Sequence, residues 1–273
     1  LKEKPVDLVD DSEPEEPSEP TPQDPKAPSG KSILRVQDNF LDSGFTAKFS
    51  PRADLGTPIL PNGILSKPKG HQVEGIHWLM KCWANGFPGC LLADDMGLGK
   101  TFQVLSFLKW LRDFSKGIGE QQRPILIVAP TTLLGNWERE AAIHLESNAL
   151  GDITLLYGNS LRKLRLPGMT TNDVVAGKQT LDVDSLAGSG WILTTYETMR
   201  DHHISLASLP FSCIVFDEMQ KIKSPTSMMT HAAQALNSDF QVGMTGTPIE
   251  NSLADIWTLF DTLMPGGMGW GDL

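Results

Sequence analysis

The sequence predicts an α/β fold, a doubly wound parallel sheet with helices on both faces, and three observations predict it. Short apolar runs recur at the spacing of alternating strands and helices: 90–93, 125–129, 153–157, 191–195, 213–216 and 241–245. Runs such as Ile-Leu-Ile-Val-Ala and Cys-Ile-Val-Phe do not alternate apolar with polar, which is how strands covered by helices on both faces read. Finally, the unusual polar clusters fall just after these runs, at strand carboxyl ends, where such sheets carry their functional loops.

Taken in order, residues 1–30 hold nine acidic side chains, three lysines, seven prolines and no aromatic residue. Such a stretch cannot bury enough apolar surface to offset its ordering entropy, so a disordered linker is expected. Residues 31–68 form a lead-in punctuated by Pro51, Pro58, Pro61 and Pro68, with no period that assigns a structure. From residue 69 to 273 the pattern is that of one lobe. Val73, Ile76, Met80 and Trp83 line one face of a helix that Asn85-Gly86 stops. The first core strand follows, then a glycine loop, then an amphipathic helix carrying Val104, Leu105, Leu108 and Leu111. Residues 158–190 are polar and dotted with glycine, with a short helix around Leu161, Leu164 and Leu166, and read as a surface excursion. The last helix spans 252–263, with Ser252 and Asp255 as a capping pair, an apolar face of Leu253, Ile256, Trp257, Phe260 and Leu263, and Pro265-Gly266 as its stop.

The linker supplies six of the ten net negative charges, leaving 24 acidic and 20 basic residues for the rest. The lobe is therefore near neutral, and its charge argues neither for nor against nucleic acid. Cys82, Cys90 and Cys213 show no metal-ligand spacing and, being odd in number, no closed disulfide set. A reducing, intracellular setting is expected, with no membrane span and no signal peptide. Beginning at Leu1 inside a linker, the chain reads as a piece of a longer protein.

Four clusters carry chemistry. Asp94-Asp95-Met96-Gly97-Leu98-Gly99-Lys100-Thr101 lies between strand and helix. Gly97 and Gly99 let the backbone curl its N–H groups inward, while the helix aims its positive end at the same point. Lys100 would then reach the β and γ phosphates of a nucleotide, and the Thr101 hydroxyl would hold Mg²⁺. The general pattern GxxxxGK[ST] has its first glycine where Asp94 stands. Asp217-Glu218-Met219-Gln220 places two carboxylates at another strand end, Asp217 to hold Mg²⁺ and Glu218 to position or deprotonate an attacking water. Met244-Thr245-Gly246-Thr247-Pro248 is an ordinary turn taken alone, but it joins Thr131, Asn136, Thr194 and Thr195 in putting hydroxyls and amides at strand ends, groups that grip sugar and phosphate without reading sequence. His71, His77, His202 and His203 lack partners at ligand spacing and read as solvated or core histidines.

Six stretches, 71–79, 94–101, 127–137, 194–197, 217–220 and 245–251, resemble in order motifs Q, I, Ia, Ib, II and III of the Snf2 family of helicase-like, superfamily 2 translocases on double-stranded DNA. Asp95 stands where Glu is usual, Met219 where Ala is usual, and Phe240-Gln241 where an arginine often precedes motif III; the Asp95 form is closer to bacterial and archaeal members. The resemblance implies a RecA-like fold, ATP and Mg²⁺ as cofactors, and duplex DNA and protein–DNA complexes as partners. It implies that Gln72 reads adenine, that Asp95 to Thr101 bind phosphates, that Gln220, Thr245 and Thr247 couple nucleotide state to DNA grip, and that Thr131, Asn136, Thr194 and Thr195 lie near the tracking strand. The family's second lobe, which supplies arginine fingers, has no counterpart before Leu273, so the isolated chain is expected to be nearly inactive; it is also expected to be monomeric. Cytoplasmic, nucleoid-associated placement is implied in a prokaryote and nuclear placement in a eukaryote. A P-loop kinase or simple NTPase not acting on nucleic acid is the competing reading, disfavoured by the clusters at 217–220 and 245–248.

Overall fold

The computed structural model describes residues 49–222, 224–247 and 253–265. The expected linker at 1–30, the first part of the lead-in, Ser252 and its capping role, and Gly266 lie outside the described residues. In chain order the elements are α1 (Gly70–Ala84), β1 (Gly89–Leu92), α2 (Lys100–Gly117), β2 (Ile125–Ala129), a 3₁₀ turn (Thr131–Leu133) running into α3 (Leu134–His144), β3 (Ile153–Leu156), α4 (Ser160–Lys163), α5 (Asp173–Ala176), α6 (Val183–Ala187), β4 (Trp191–Thr195), α7 (Tyr196–Asp201), α8 (His203–Ala207), β5 (Pro210–Phe211), β6 (Cys213–Phe216), a 3₁₀ turn (Met219–Ile222), α9 (Met228–Gln234), β7 (Asn237–Ser238), β8 (Gln241–Met244) and α10 (Leu253–Leu263).

Six strands form one parallel sheet in the order β1-β8-β6-β2-β4-β3, and β5 pairs with β7 in a short second ladder. Every strand of the large sheet is one the apolar runs predicted. The register brings Leu92 beside Met244, Phe216 beside Gly243, and Ala129 beside Thr195, so the loops leaving these strands share one edge. Two apolar clusters flank the sheet. One gathers α1 and α2 over residues such as Ile127 and Val215; the other packs α7, α9 and the end of α10 over Leu126 and Phe216. Burial on both faces is why β2, β4, β6 and β8 carry buried side chains throughout. Among the described residues no helix is long and apolar enough to cross a membrane.

The described part of the lead-in packs onto this core. The Arg52 guanidinium donates to the carbonyls of Trp83 (2.7 Å), Phe87 (2.9 Å) and Asp239 (2.7 Å), and lies over the rings of Trp83 and Phe240. Leu55, Leu60 and Ile64 rest against the first apolar cluster.

Two expectations need correction. The 158–190 stretch is fastened, not a surface excursion: Leu181 and Leu186 are fully buried, as is Asp173. The Asp173 carboxylate accepts from the Thr180 N–H and hydroxyl, the Ser205 N–H and hydroxyl, and sits 3.3 Å from His202 Nδ1. Burial by itself would raise this carboxyl; the hydrogen bonds from His202, Thr180 and Ser205 outweigh it and bring it down to about 2. His202, fully buried, is thus a core histidine with a carboxylate partner 29 residues upstream, a pairing sequence spacing could not reveal. In α10 the buried face is Thr258, Leu259, Thr262 and Leu263, while Ile256, Trp257 and Phe260 are only half buried. The Thr262 hydroxyl bonds back to the Thr258 carbonyl (2.9 Å), which lets threonine occupy a core stripe that a count of apolar residues passes over.

Candidate nucleotide and metal site

The strand order decides the site. Because β8 lies between β1 and β6, the loop after β8 sits between the glycine loop and the carboxylate pair. In the glycine loop Gly97 (φ 85°) and Gly99 (φ 78°) both take left-handed conformations, the region where a side chain is disfavoured. Gly99 is the N-cap of α2, and the first amide of that helix to reach a carbonyl is that of Gln103, on Gly99 (3.1 Å). The amides of Lys100, Thr101 and Phe102 are left at the helix end, as an anion requires. The Lys100 ammonium lies across the loop, donating to the carbonyls of Asp94 (2.5 Å) and Asp95 (3.1 Å). Met96 and Leu98 are exposed on the loop, and Met96 approaches Gly246 so closely that a Cβ there would meet its Cγ at 2.9 Å.

Gln72 of α1 braces this loop from behind. Its Oε1 accepts from the Lys69 N–H (2.9 Å), and its Nε2 donates to the Leu98 carbonyl (3.2 Å), against a Gly99 whose added Cβ would strike that nitrogen. One amide proton and one lone pair of Gln72 remain for a ligand. Beside it opens a cleft of about 420 Å³ whose lining includes Gly99, Phe102, Asn136, Arg139 and His144. The Asp94 side chain is held by the buried Gln103 amide (3.1 Å), and Gly75 of α1 makes the room: a Cβ there would lie 1.8 Å from Gln103 Oε1.

At the end of β6, Asp217 is buried and its Oδ2 accepts from the indole N–H of Trp137 in α3 (2.9 Å). Burial, with the Glu218 charge, outweighs the indole bond, the Glu218 amide and Lys100, which lower this carboxyl, and it is raised to about 6. Tyr196, fully buried, donates its hydroxyl to the Asp217 carbonyl (2.7 Å), and burial together with the charges of Asp217 and Glu218 keeps that phenol protonated. Glu218 itself takes φ 52°, a strained conformation for a residue with a side chain. Its Oε2 accepts from Gln220 Nε2 (2.6 Å), Gln220 Oε1 accepts from the Thr245 hydroxyl (2.9 Å), and Thr245 Oγ1 accepts from the Thr247 N–H (3.1 Å). The carboxylate loop and the β8 loop are thereby joined by side chains. Met219 packs against β8 where Gly243 leaves space, a Cβ there falling 2.4 Å from its sulfur.

The residues expected near a DNA strand differ in what their side chains do. Thr131 is exposed on the 3₁₀ turn. Thr194 is fully buried with its hydroxyl on the Leu156 carbonyl (2.8 Å), so its side chain cannot reach a strand. Thr195 caps α7 through the Thr198 N–H (3.0 Å). Asn136, bonded to Glu140 (2.8 Å), lines the cleft beside Gln72. The reason is that 194 and 195 end a strand with helices over both faces, where hydroxyls satisfy the backbone before they meet solvent. Residue patterns gave no role to Trp137, Tyr196 or Gln103; the first two lay inside the stretches 127–137 and 194–197, and Gln103 two residues beyond 94–101.

A glycine loop opening a helix, with a carboxylate pair two strands away and a hydroxyl-bearing strand end between, defines a P-loop α/β domain of the RecA-like class. The chain belongs to the SNF2-related domain family, whose model matches residues 71–270. It is 44% identical over 88% of its length to the Zorya protein ZorD of Escherichia coli O139:H28, of which it covers 23%. It is 32% identical over 73% of its length to the putative ATP-dependent helicase/translocase YwqA of Bacillus subtilis, covering 19% of that protein. Among solved structures it resembles the Sulfolobus solfataricus SWI2/SNF2 ATPase core in complex with dsDNA, at a TM-score of 0.60 and 29% identity, over 76% of this chain and 38% of that one. The chain thus spans less than a quarter of the length of these curated relatives.

Proposed function

We propose that this chain is the ATP-binding lobe of a DNA-dependent ATPase that moves along duplex DNA and remodels protein–DNA complexes inside the cell. The observation that carries it is the linked trio of loops: Lys100 and Thr101 opening α2, Asp217-Glu218 after β6, and Thr245 after β8 bridged to Glu218 by Gln220. The donor set fits a magnesium nucleotide: open helix amides, one lysine, one hydroxyl and one carboxylate of the kind hard cations take. Thr101 and Asp217 would hold Mg²⁺, which when bound neutralises charge on the β and γ phosphates. Lys100 exchanges its loop carbonyls for phosphate oxygens. Glu218 holds the attacking water and takes its proton, and its strained backbone aims the carboxylate. Gln72 offers its spare donor and acceptor to the base, and the adjoining cleft accepts the ring. Thr245, reached from Glu218 through one side chain, carries nucleotide state toward the DNA-facing edge, where exposed Thr131 and the backbone of 194–195 are the remaining contacts.

The test is phosphate release by the full-length protein with and without duplex DNA. Turnover that rises with duplex and is abolished by Lys100→Ala supports the reading; turnover driven by a small phosphate acceptor and indifferent to DNA refutes it.

A further inference from the structure

Asp217 is gripped at three points by residues that no motif role assigns. Its own amide donates to the Val128 carbonyl of β2 (2.9 Å), the Tyr196 hydroxyl holds its carbonyl, and the Trp137 indole N–H holds Oδ2. Trp137 and Tyr196 are both fully buried and come from the helices that follow β2 and β4, the two strands beyond β6 on the side away from the glycine loop. Neither can touch a bound phosphate, so any influence on the chemistry passes through Asp217. With Oδ2 committed to the indole, Oδ1 is the oxygen left to face a cation. Trp137 also belongs to α3, which lends Asn136, Arg139 and His144 to the cleft beside Gln72. One short helix therefore meets both the cleft and the carboxylate.

We propose that Trp137 is a positioning residue for the metal-holding carboxylate: its indole N–H fixes the rotamer of Asp217 so that Oδ1 is presented to Mg²⁺, and α3 ties that orientation to the geometry of the neighbouring cleft. This rests on the reading of Asp217 as a magnesium ligand. Partners that orient a ligand from behind change metal affinity typically 10–100-fold when lost. Loss of the N–H leaves the buried carboxylate oxygen without its donor and lets the side chain rotate.

The experiment replaces Trp137 in the full-length protein with benzothienylalanine, which keeps the ring shape but carries sulfur where the N–H was, and with 5-fluorotryptophan, which keeps the N–H. The readout is equilibrium binding of a fluorescent, non-hydrolysable ATP analogue titrated with Mg²⁺, not turnover. Expected is a Mg²⁺ requirement raised about 10-fold or more in the benzothienyl protein, with Mg²⁺-free nucleotide binding unchanged and the fluorotryptophan protein behaving as the parent. An unaltered Mg²⁺ requirement in the benzothienyl protein overturns the inference. Asp217→Asn is titrated alongside: if it loses its Mg²⁺ response while the benzothienyl protein does not, the inference alone fails; if Asp217→Asn keeps a normal response, the metal assignment fails and takes the inference with it.

Discussion

Replacing Asp217 with asparagine should stabilise this chain in the absence of nucleotide and metal, even as it destroys the proposed magnesium site. Burial lifts the folded carboxyl to about 6 from an ordinary 3.8. A carboxyl raised in the folded state contributes stability that is fully present below 3.8 and lost as pH climbs through about 6. At 1.36 kcal/mol per unit, ionising Asp217 costs the folded protein about 3 kcal/mol at pH 8. Asparagine keeps an oxygen to accept from Trp137 and carries no charge, so Asp217→Asn should recover most of that. For a domain of this size the gain corresponds to roughly 6–12 °C in Tm. Urea unfolding of the metal-free 273-residue chain at pH 4, 6 and 8 makes the measurement. The difference between variant and parent should be small at pH 4, grow through pH 6 and level off by pH 8. An asparagine variant no more stable at pH 8, or one whose gain is the same at every pH, would refute the charge argument.

Three further outcomes are expected. Glu218→Gln in the full-length protein should bind nucleotide normally yet hydrolyse it roughly a hundredfold more slowly, the scale of losing a general base; equal loss of both would make the residue structural. Gly75→Ala should destabilise the lobe by up to roughly 2 kcal/mol, because the overpacking cost of displacing a buried Gln103 that holds Asp94 exceeds the roughly 1 kcal/mol that alanine returns in a helix interior; an unchanged or raised denaturant midpoint would show that Gln103 moves freely. The isolated 273-residue chain should release phosphate from ATP negligibly with or without duplex DNA, since an arginine finger from a second lobe typically contributes on the order of 10³ to 10⁵ in rate; robust DNA-stimulated turnover by the chain alone would contradict this.

Much of this protein was written in local pattern. Six apolar runs specified six parallel strands, of which β2, β4, β6 and β8, with helices over both faces, are buried throughout while the edge strand β3 exposes Ile153, and the glycine loop was legible because glycine takes the positive φ found at residues 97 and 99 at least cost. The carboxylate pair and the threonine-bearing turn could be assigned from their place after such strands. Their adjacency could not: that β8 inserts between β1 and β6, so that Thr245 reaches Glu218 through Gln220, is a matter of strand order, which no spacing encodes. The fastening of residues 158–190 by Asp173 and the burial of Thr194 were likewise tertiary, since a polar side chain reads as surface until a partner far along the chain satisfies it. Trp137 shows the division most plainly. An aromatic residue on a helix face is expected to be core, and it is; that its one polar atom points at the carboxylate 80 residues away, and so shapes the site, follows only from the packing of α3 beside β6.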